Sequence, residues 1–339
     1  MKYPDWLKKG DIIGCTAPSD GVKKAVNFQR LDNAILNLNK LGFEYKETEN
    51  VRTSENGRSS SKEERAKQFI SMWKDESVSS IISAEGGDFL PEILKYIDFN
   101  ELKTISPKWF QGYSDNTTLT FLITTLLDTA CIYGSNIKDY GMRNLHQSLT
   151  NSLEIMSGKE LMQKSFEKCE IVDWSDRVDP YEEYYLVNGV EWKNLNNEAN
   201  ISFKGRSIGG CFDVIVELIG TKYDKVKEYI QKYRNDGIVW FLEVFEMSTP
   251  RIYNHLIQMK YCGYFENCKG VIFGRPCMVK EEYGISYVET LKTFFDEMDI
   301  PVIYDADIGH VSPQIPILSG GILEVTSSNG KGYIKNIFG

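Results

Sequence analysis

The sequence predicts an α/β protein. An N-terminal domain built on a doubly wound, mostly parallel sheet is followed by a smaller C-terminal α/β domain with antiparallel strands. Three observations carry this. Short apolar runs alternate with amphipathic helical stretches between residues 11 and 133, as expected of a parallel sheet covered by helices. The 339 residues exceed what one hydrophobic core usually serves, so two domains are the default. The chain then closes on three strand-like runs, 315–318, 321–327 and 332–337, with no helical pattern between them.

Residues 11–16 read as a short buried strand ending in the Ala17-Pro18-Ser19-Asp20-Gly21 loop. The 22–41 stretch places Phe28, Leu31, Ile35 and Leu38 at helical spacing, and Gly42 stops it. A second strand is expected at 43–47. Residues 50–61 are polar and rich in Ser and Arg, hence an exposed loop. Ser61 with Glu64 three residues on has the form of a capping box, opening a helix that carries Ala66, Phe69, Ile70 and Trp73. Residues 78–83 form a strand, and Gly86-Gly87 follow it, where the backbone can approach a ligand closely. A plain strand-to-helix turn is the alternative. Residues 91–96 are helical. The 109–112 strand runs into Ser114-Asp115-Asn116-Thr117 and an apolar-periodic helix over 119–127, and 131–133 is a further strand.

From 144 to about 200 the pattern loosens, with a helix expected at 145–156. Residues 171–197 combine polar residues with Trp174, Tyr181, Tyr184, Tyr185 and Trp192, as in an inter-domain passage. Both a lid over a ligand and packing at a domain seam are consistent with those aromatics. The second domain starts near 201. There 205–211, containing Gly209-Gly210-Cys211, precedes a helix reaching Leu218, and 237–243 is a buried strand ending in Glu243. Ser248 and Pro250 open a helix with Ile252, His255, Leu256 and Met259 on one face. A strand at 271–273 leads to Gly274-Arg275-Pro276, a helix spans 287–295, and a strand at 301–304 leads to the loop from Asp305 to His310. The expected division is 1–165 for the nucleophile domain, 166–200 for the passage and 201–339 for the domain carrying acid and base.

Composition excludes several function classes. The net charge of −9 gives no electrostatic case for nucleic acid or an acidic membrane surface. No apolar run reaches the roughly 20 residues of a membrane span, and the first residues lack the apolar core of a signal peptide. The seven cysteines are scattered and form no C-x-x-C, and Cys262 and Cys268 have no histidine nearby to complete a zinc set, so no metal site is expected and free thiols in a reducing cytosol fit best.

The strand-turn-helix around Ser114 lifts a hydroxyl off the sheet edge beside helix N-terminal N–H groups. A nucleophilic serine with oxyanion donors needs that arrangement. The strict G-x-S-x-G elbow is absent, since 116 is Asn, and a Ser-Asp pair before a helix is also an ordinary N-cap. Of the three histidines, His146 lies in a polar, solvated segment and His255 on an apolar helix face. His310 sits on a loop just past a strand, where a side chain is presented to a cleft. Glu243 at the end of a buried strand needs a partner, and an imidazolium or a surface cation would each serve.

Together, Ala17-Pro18-Ser19, Gly86-Gly87, Gly112-Tyr113-Ser114-Asp115, Gly209-Gly210, Leu242-Glu243 and Gly309-His310 with Pro313 and Pro316 resemble the LD-carboxypeptidase family of serine peptidases over about 10–335. The resemblance implies a triad of Ser114, Glu243 and His310 and an oxyanion hole from the N–H groups of Gly87 and Asp115. It also implies a cytoplasmic, homodimeric enzyme without metal or organic cofactor. One branch of the family removes terminal D-Ala from murein tetrapeptides; the other, the microcin C resistance (MccF-type) branch, cuts the amide joining a peptide or aminoacyl group to a nucleotide. Length, Trp174-Ser175-Asp176 and the position of Glu243 are more similar to the second, which implies a small peptide or aminoacyl-nucleotide substrate. Trp174, by stacking on a base or covering the cleft, and Arg275, by binding a carboxylate, are the expected substrate contacts. A salt bridge explains Arg275 as well. Cys211 departs from the family's Gly-Gly-Asn and lacks the amide's donor and acceptor, so a substrate contact there is altered. A two-domain protein that binds a small peptide or nucleotide without cutting it is the competing class.

Overall fold

A computed structural model of the chain describes residues 1–172 and 178–339. Its described residues separate into two compact units, 1–159 with 178–184, and 160–172 with 185–339. The passage is thus shared between the units, and the second, expected to be the smaller, is nearly as large as the first. Trp174 lies outside the described residues.

The first unit runs β1 (Ile12–Thr16), α1 (Ala25–Leu41), β2 (Glu44–Glu47), α2 (Lys62–Lys74), β3 (Val78–Ser83), α3 (Phe99–Thr104), β4 (Trp109–Gly112), α4 (Thr117–Thr125), β5 (Cys131–Tyr133) and α5 (Gln147–Met156). Its strands lie in the order β5-β4-β3-β1-β2, every pair parallel. Parallel strands need crossover helices, which the apolar-periodic stretches supply. Phe69 and Trp73 of α2, Ile81 of β3, Phe110 of β4 and Leu119 and Ile123 of α4 share one buried cluster. Gly42 stops α1 in the left-handed conformation, φ +95°, its N–H donating to the Leu38 and Asn39 carbonyls. Ser61 accepts from the Glu64 N–H, but the return bond of the expected capping box is absent; Glu64 meets Gln68 and Lys67 instead. The complete box forms at Ser286 and Glu289. Residues 91–96, expected helical, lie in a 3₁₀ stretch over Leu90–Tyr96. The described end of the passage is fastened to this unit: Arg30, buried in α1, donates to the carbonyls of Pro180 and Glu182, and Arg143 pairs with Asp179.

The second unit contains β6 (Met162–Lys164), β7 (Lys168–Glu170), β8 (Leu186–Gly189), β9 (Lys193–Asn194), β10 (Asn200–Cys211), α6 (Phe212–Leu218), α7 (Val226–Lys232), β11 (Ile238–Glu243), α8 (Thr249–Tyr261), β12 (Cys268–Gly274), α9 (Tyr287–Phe295), β13 (Val302–Ala306), β14 (Ile317–Ser319), β15 (Ile322–Ser328) and β16 (Lys331–Ile337). The eight-stranded sheet has the order β6-β16-β15-β10-β11-β12-β13-β9. Strands β10 to β13 are mutually parallel, and β15, β16, β6 and β9 join antiparallel. The twelve-residue β10 occupies the 205–211 stretch expected to lead into a helix. Its glycines disguise it. At Gly209, φ +157°, a Cβ would collide with the Phe241 carbonyl, so glycine lets β11 pass close by.

Candidate active site

In the first unit β4 ends at Gly112, and Ser114 begins a 3₁₀ turn that leads into α4. Ser114 has φ +61°, a left-handed conformation that costs a residue with a Cβ about 1–2 kcal/mol. Backbone strain at a sharp turn after a strand fits a presented nucleophile better than an ordinary N-cap, whose backbone is extended. The flanking residues hold the turn. The buried Asp115 carboxylate accepts from the Ser19 hydroxyl and, at 2.9 Å, from the Leu90 N–H. Burial, which disfavours charge, pushes its pKa above the usual Asp range. Asn116 accepts from Ser83 at 2.6 Å and donates to the Glu85 carbonyl at 2.7 Å. The loops after β1 and β3 are thereby tied to the serine turn, as Ser19 and the Gly86-Gly87 pair require.

Gly86 faces the serine directly. A Cβ there would lie 2.9 Å from Ser114 Oγ and 3.9 Å from the Asp115 nitrogen. At Gly87, φ +147°, a Cβ would collide with Ser19 Oγ. Ser114, Asp115 and the glycine pair therefore converge at the C-terminal edge of the parallel sheet, the edge where ligands of such sheets bind.

In the second unit Glu243 is the last residue of β11 and is fully buried. Its Oε2 lies 3.0 Å from His310 Nδ1, and the imidazole side chain is 6% exposed. Two glycines make room for the carboxylate. A Cβ on Gly309 would come within 2.6 Å of Glu243 Oε2, and one on Gly274 within 3.0 Å of Glu243 Cβ. The Phe245 ring lies against the imidazole, centroids 4.3 Å apart and planes inclined by 34°. Of the two candidate partners for Glu243, the structure supplies the imidazole.

The other expected residues fall as follows. Cys211 ends β10 in register with Glu243 and is 2% exposed, with its thiol pKa pushed up by burial and the Glu243 charge. The thiol is thus enclosed beside the carboxylate of the acid–base pair. Arg275 is likewise committed within its own unit. Its guanidinium forms an ion pair with the fully buried Asp307 and donates to the Val311 and Pro313 carbonyls at 2.8 and 3.0 Å. The salt-bridge alternative, not the carboxylate contact, describes it. Asp307 also accepts from Trp192 Nε1 at 2.8 Å and the Phe166 N–H at 3.2 Å. His146 differs from a solvated surface residue: its ring caps α5, accepting from the Ser148 N–H, and burial lowers its pKa. His255 is half-buried, edge-on to Phe212.

Sequence reasoning gives no role to Ser19, named only within the Ala17-Pro18-Ser19 motif, nor to Asp213 or Asp307. Asp213, in the first turn of α6, accepts from the Phe245 N–H at 2.9 Å and the Glu246 N–H at 3.1 Å. A short-range signal existed for Asp307 alone, an acid between a buried strand and the histidine. All seven cysteines are free, and among the described residues no cluster of three His, Cys, Asp or Glu is placed to hold a metal ion. Among the described residues no helix is long and apolar enough to cross a membrane.

Comparison with known proteins bears on the family and the fold. The chain is 26% identical over 321 residues to a probable murein peptide carboxypeptidase of Bacillus subtilis, covering 94% of this chain and 89% of the relative. It is 24% identical to the microcin C7 self-immunity protein MccF of Escherichia coli, covering 95% and 92%. In fold it is similar to an MccF-like protein from Bacillus anthracis, with TM-score 0.81, 22% identity and full coverage of both chains. MccF in complex with glutamyl sulfamoyl guanosine superposes with TM-score 0.79 at 20% identity over 98% of each chain. Residues 13–134, within the first unit, match the LD-carboxypeptidase N-terminal domain, and residues 204–325, within the second, match the LD-carboxypeptidase C-terminal domain. With the strained serine in the first of these domains and the carboxylate–imidazole pair in the second, the chain belongs to the LD-carboxypeptidase family and is a serine-type carboxypeptidase.

Proposed function

We propose that Ser114, His310 and Glu243 act as one catalytic triad that hydrolyses the amide of peptidyl- or aminoacyl-nucleotides. The observation that carries the reading is the buried Glu243–His310 pair. It commits Nδ1 of the imidazole to a carboxylate and so leaves Nε2 as the atom that exchanges protons with a nucleophile. His310 takes the Ser114 proton as Oγ attacks the carbonyl carbon, then delivers it to the departing nitrogen as the C–N bond breaks. Water repeats the sequence on the acyl-serine ester and releases the acid. Glu243 orients the ring and stabilises its charged form. The N–H groups of Gly87 and Asp115 hold the oxyanion, and losing one such donor typically costs about 3 kcal/mol. No metal or organic cofactor enters.

Two relatives support different substrates. The MccF likeness supports the nucleotide amide, since MccF structures hold glutamyl sulfamoyl guanosine and aspartyl sulfamoyl adenosine. The Bacillus subtilis likeness supports a second reading, removal of terminal D-Ala from a murein tetrapeptide. Mass spectrometry after incubation with an aminoacyl-sulfamoyl adenosine and, separately, a murein tetrapeptide separates them. Cleavage of the first and not the second is expected. Cleavage of the tetrapeptide alone moves the enzyme to the murein reading, and both intact favours a binder. The Ser114→Ala protein should leave both intact while keeping its circular dichroism, and unchanged turnover in it overturns the triad. The reading includes a cytoplasmic homodimer, which sedimentation and cell fractionation test.

A further inference from the structure

We infer that Asp213 is a positioning residue for the base: its carboxylate clamps the segment after β11 so that Phe245 is held against the His310 imidazole. The inference rests on the reading of His310 as the base and deepens it. Nothing in the residue pattern singles Asp213 out, since an acid in the first turn of a helix is ordinary. The contacts distinguish it. Its two oxygens accept from two successive backbone N–H groups, Oδ2 from Phe245 at 2.9 Å and Oδ1 from Glu246 at 3.1 Å, and Oδ2 also accepts weakly from the Cys211 thiol at 3.9 Å. These residues come directly after Glu243 and Val244, so the clamp acts two residues past the acid of the pair. The Phe245 ring, held by its own clamped backbone, lies 4.3 Å from the imidazole, while Glu243 takes the ring's Nδ1. The imidazole is therefore fixed by a hydrogen bond at one atom and an aromatic surface on its face.

The placement of the clamp follows from the sheet. Strands β10 and β11 are adjacent and parallel, and Cys211 and Glu243 are in register at their ends. The chain leaving β10 turns into α6 while the chain leaving β11 turns toward the base. Asp213, two residues past Cys211, thus meets Phe245, two residues past Glu243. The clamp lies wholly within the second unit. Burial and the nearby Glu243 carboxylate raise the Asp213 pKa, while the two backbone N–H groups favour its charged form. Such a site is occupied at a cost, which fits a residue kept for geometry.

The experiment uses full-length protein labelled with ¹⁵N-histidine. With three histidines in the chain, the His310 signal is assigned by its loss in His310→Ala. In wild type the His310 Nδ1–H should resonate downfield and exchange slowly. In Asp213→Ala that resonance should move upfield or broaden, while those of His146 and His255 stay in place. kcat should fall at least about tenfold with KM within about twofold, the pattern of a misplaced catalytic group. Asp213→Asn keeps one acceptor oxygen and should fall between wild type and Asp213→Ala. Phe245→Leu, which removes the ring surface by another route, should reproduce the His310 change. A wild-type His310 resonance together with kcat within twofold in Asp213→Ala overturns the inference. If Asp213→Ala fails to fold, the same two results in Asp213→Asn overturn it. Failure of the triad would show separately, as activity surviving in His310→Ala.

Discussion

Replacing Gly309 by alanine tests the acid–base pair through a single methyl group. Gly309 has φ +94° and lies against Glu243; a Cβ there would come within 2.6 Å of both Glu243 Cγ and Oε2, the oxygen that meets His310. Ordinary contact starts near 3.4 Å, so the carboxylate must retreat by about 0.8 Å or the loop must give by the same amount. Left-handed backbone costs a residue with a Cβ about 1–2 kcal/mol. Forcing the methyl into a filled site adds about 1–3 kcal/mol. The expected loss of stability is therefore roughly 2–5 kcal/mol. A displacement near 1 Å at a catalytic group costs on the order of 10²-fold in rate. Two measurements read these effects. Urea denaturation followed by fluorescence gives the shift in midpoint, which is the safer quantity in a two-unit protein. The rate at which a fluorophosphonate labels Ser114 gives the state of the base without requiring the natural substrate. A Gly309→Ala protein that labels within twofold of wild type, at an unchanged midpoint, would show that the Glu243–His310 contact is not what activates the serine.

The strain at Ser114 and the buried charge at Asp115 give two further expectations. Ser114→Gly removes a side chain held at φ +61° and should be more stable than Ser114→Ala by up to about 1 kcal/mol once glycine's extra chain entropy is subtracted, read as a higher thermal midpoint, while both variants are inactive; equal midpoints would refute the strain. At Asp115 the two hydrogen bonds fall on one oxygen, Oδ2, so Asp115→Asn keeps an acceptor and loses the buried charge. Because the folded protein holds the Asp115 pKa above its ordinary value, it binds the proton more readily than the unfolded chain, and wild type gains stability as pH falls from that raised value toward the ordinary Asp range. Denaturation midpoints of the two proteins should therefore draw together on the acid side relative to pH 8, and a constant gap would refute the assignment.

What the sequence disclosed depended on whether a residue's neighbours in sequence were also its neighbours in space. The β4–Ser114–α4 unit was legible because strand, turn and helix are contiguous, and the 3.6-residue period of residues 119–127 marks the helix. The parallel sheet followed from the same local alternation. Strand β10 was not legible, because its glycines are required by the backbone of β11, a neighbour about thirty residues away in the chain. Arg275 was ambiguous for a related reason: a guanidinium after a strand serves a ligand or a buried acid equally well, and only the fold shows Asp307 beside it. Glu243 and His310 were each visible as residues wanting a partner, yet 67 positions apart, and their pairing came from the family resemblance before the coordinates gave it a distance. Asp213 left no trace in the sequence because its partners are backbone N–H groups, which every residue carries.

The uniform direction of the five strands in the first unit has a practical consequence for handling the enzyme. The serine turn, the glycine pair and the Ser19 loop all follow the ends of strands, so the turns that enter strands lie on the opposite edge. The turn between α2 and β3 holds the exposed Glu76 and Ser77 and is such a place. A fluorophore, affinity peptide or surface tether spliced there would sit a full strand length from the nucleophile, leaving its approach side clear for immobilised or single-molecule work.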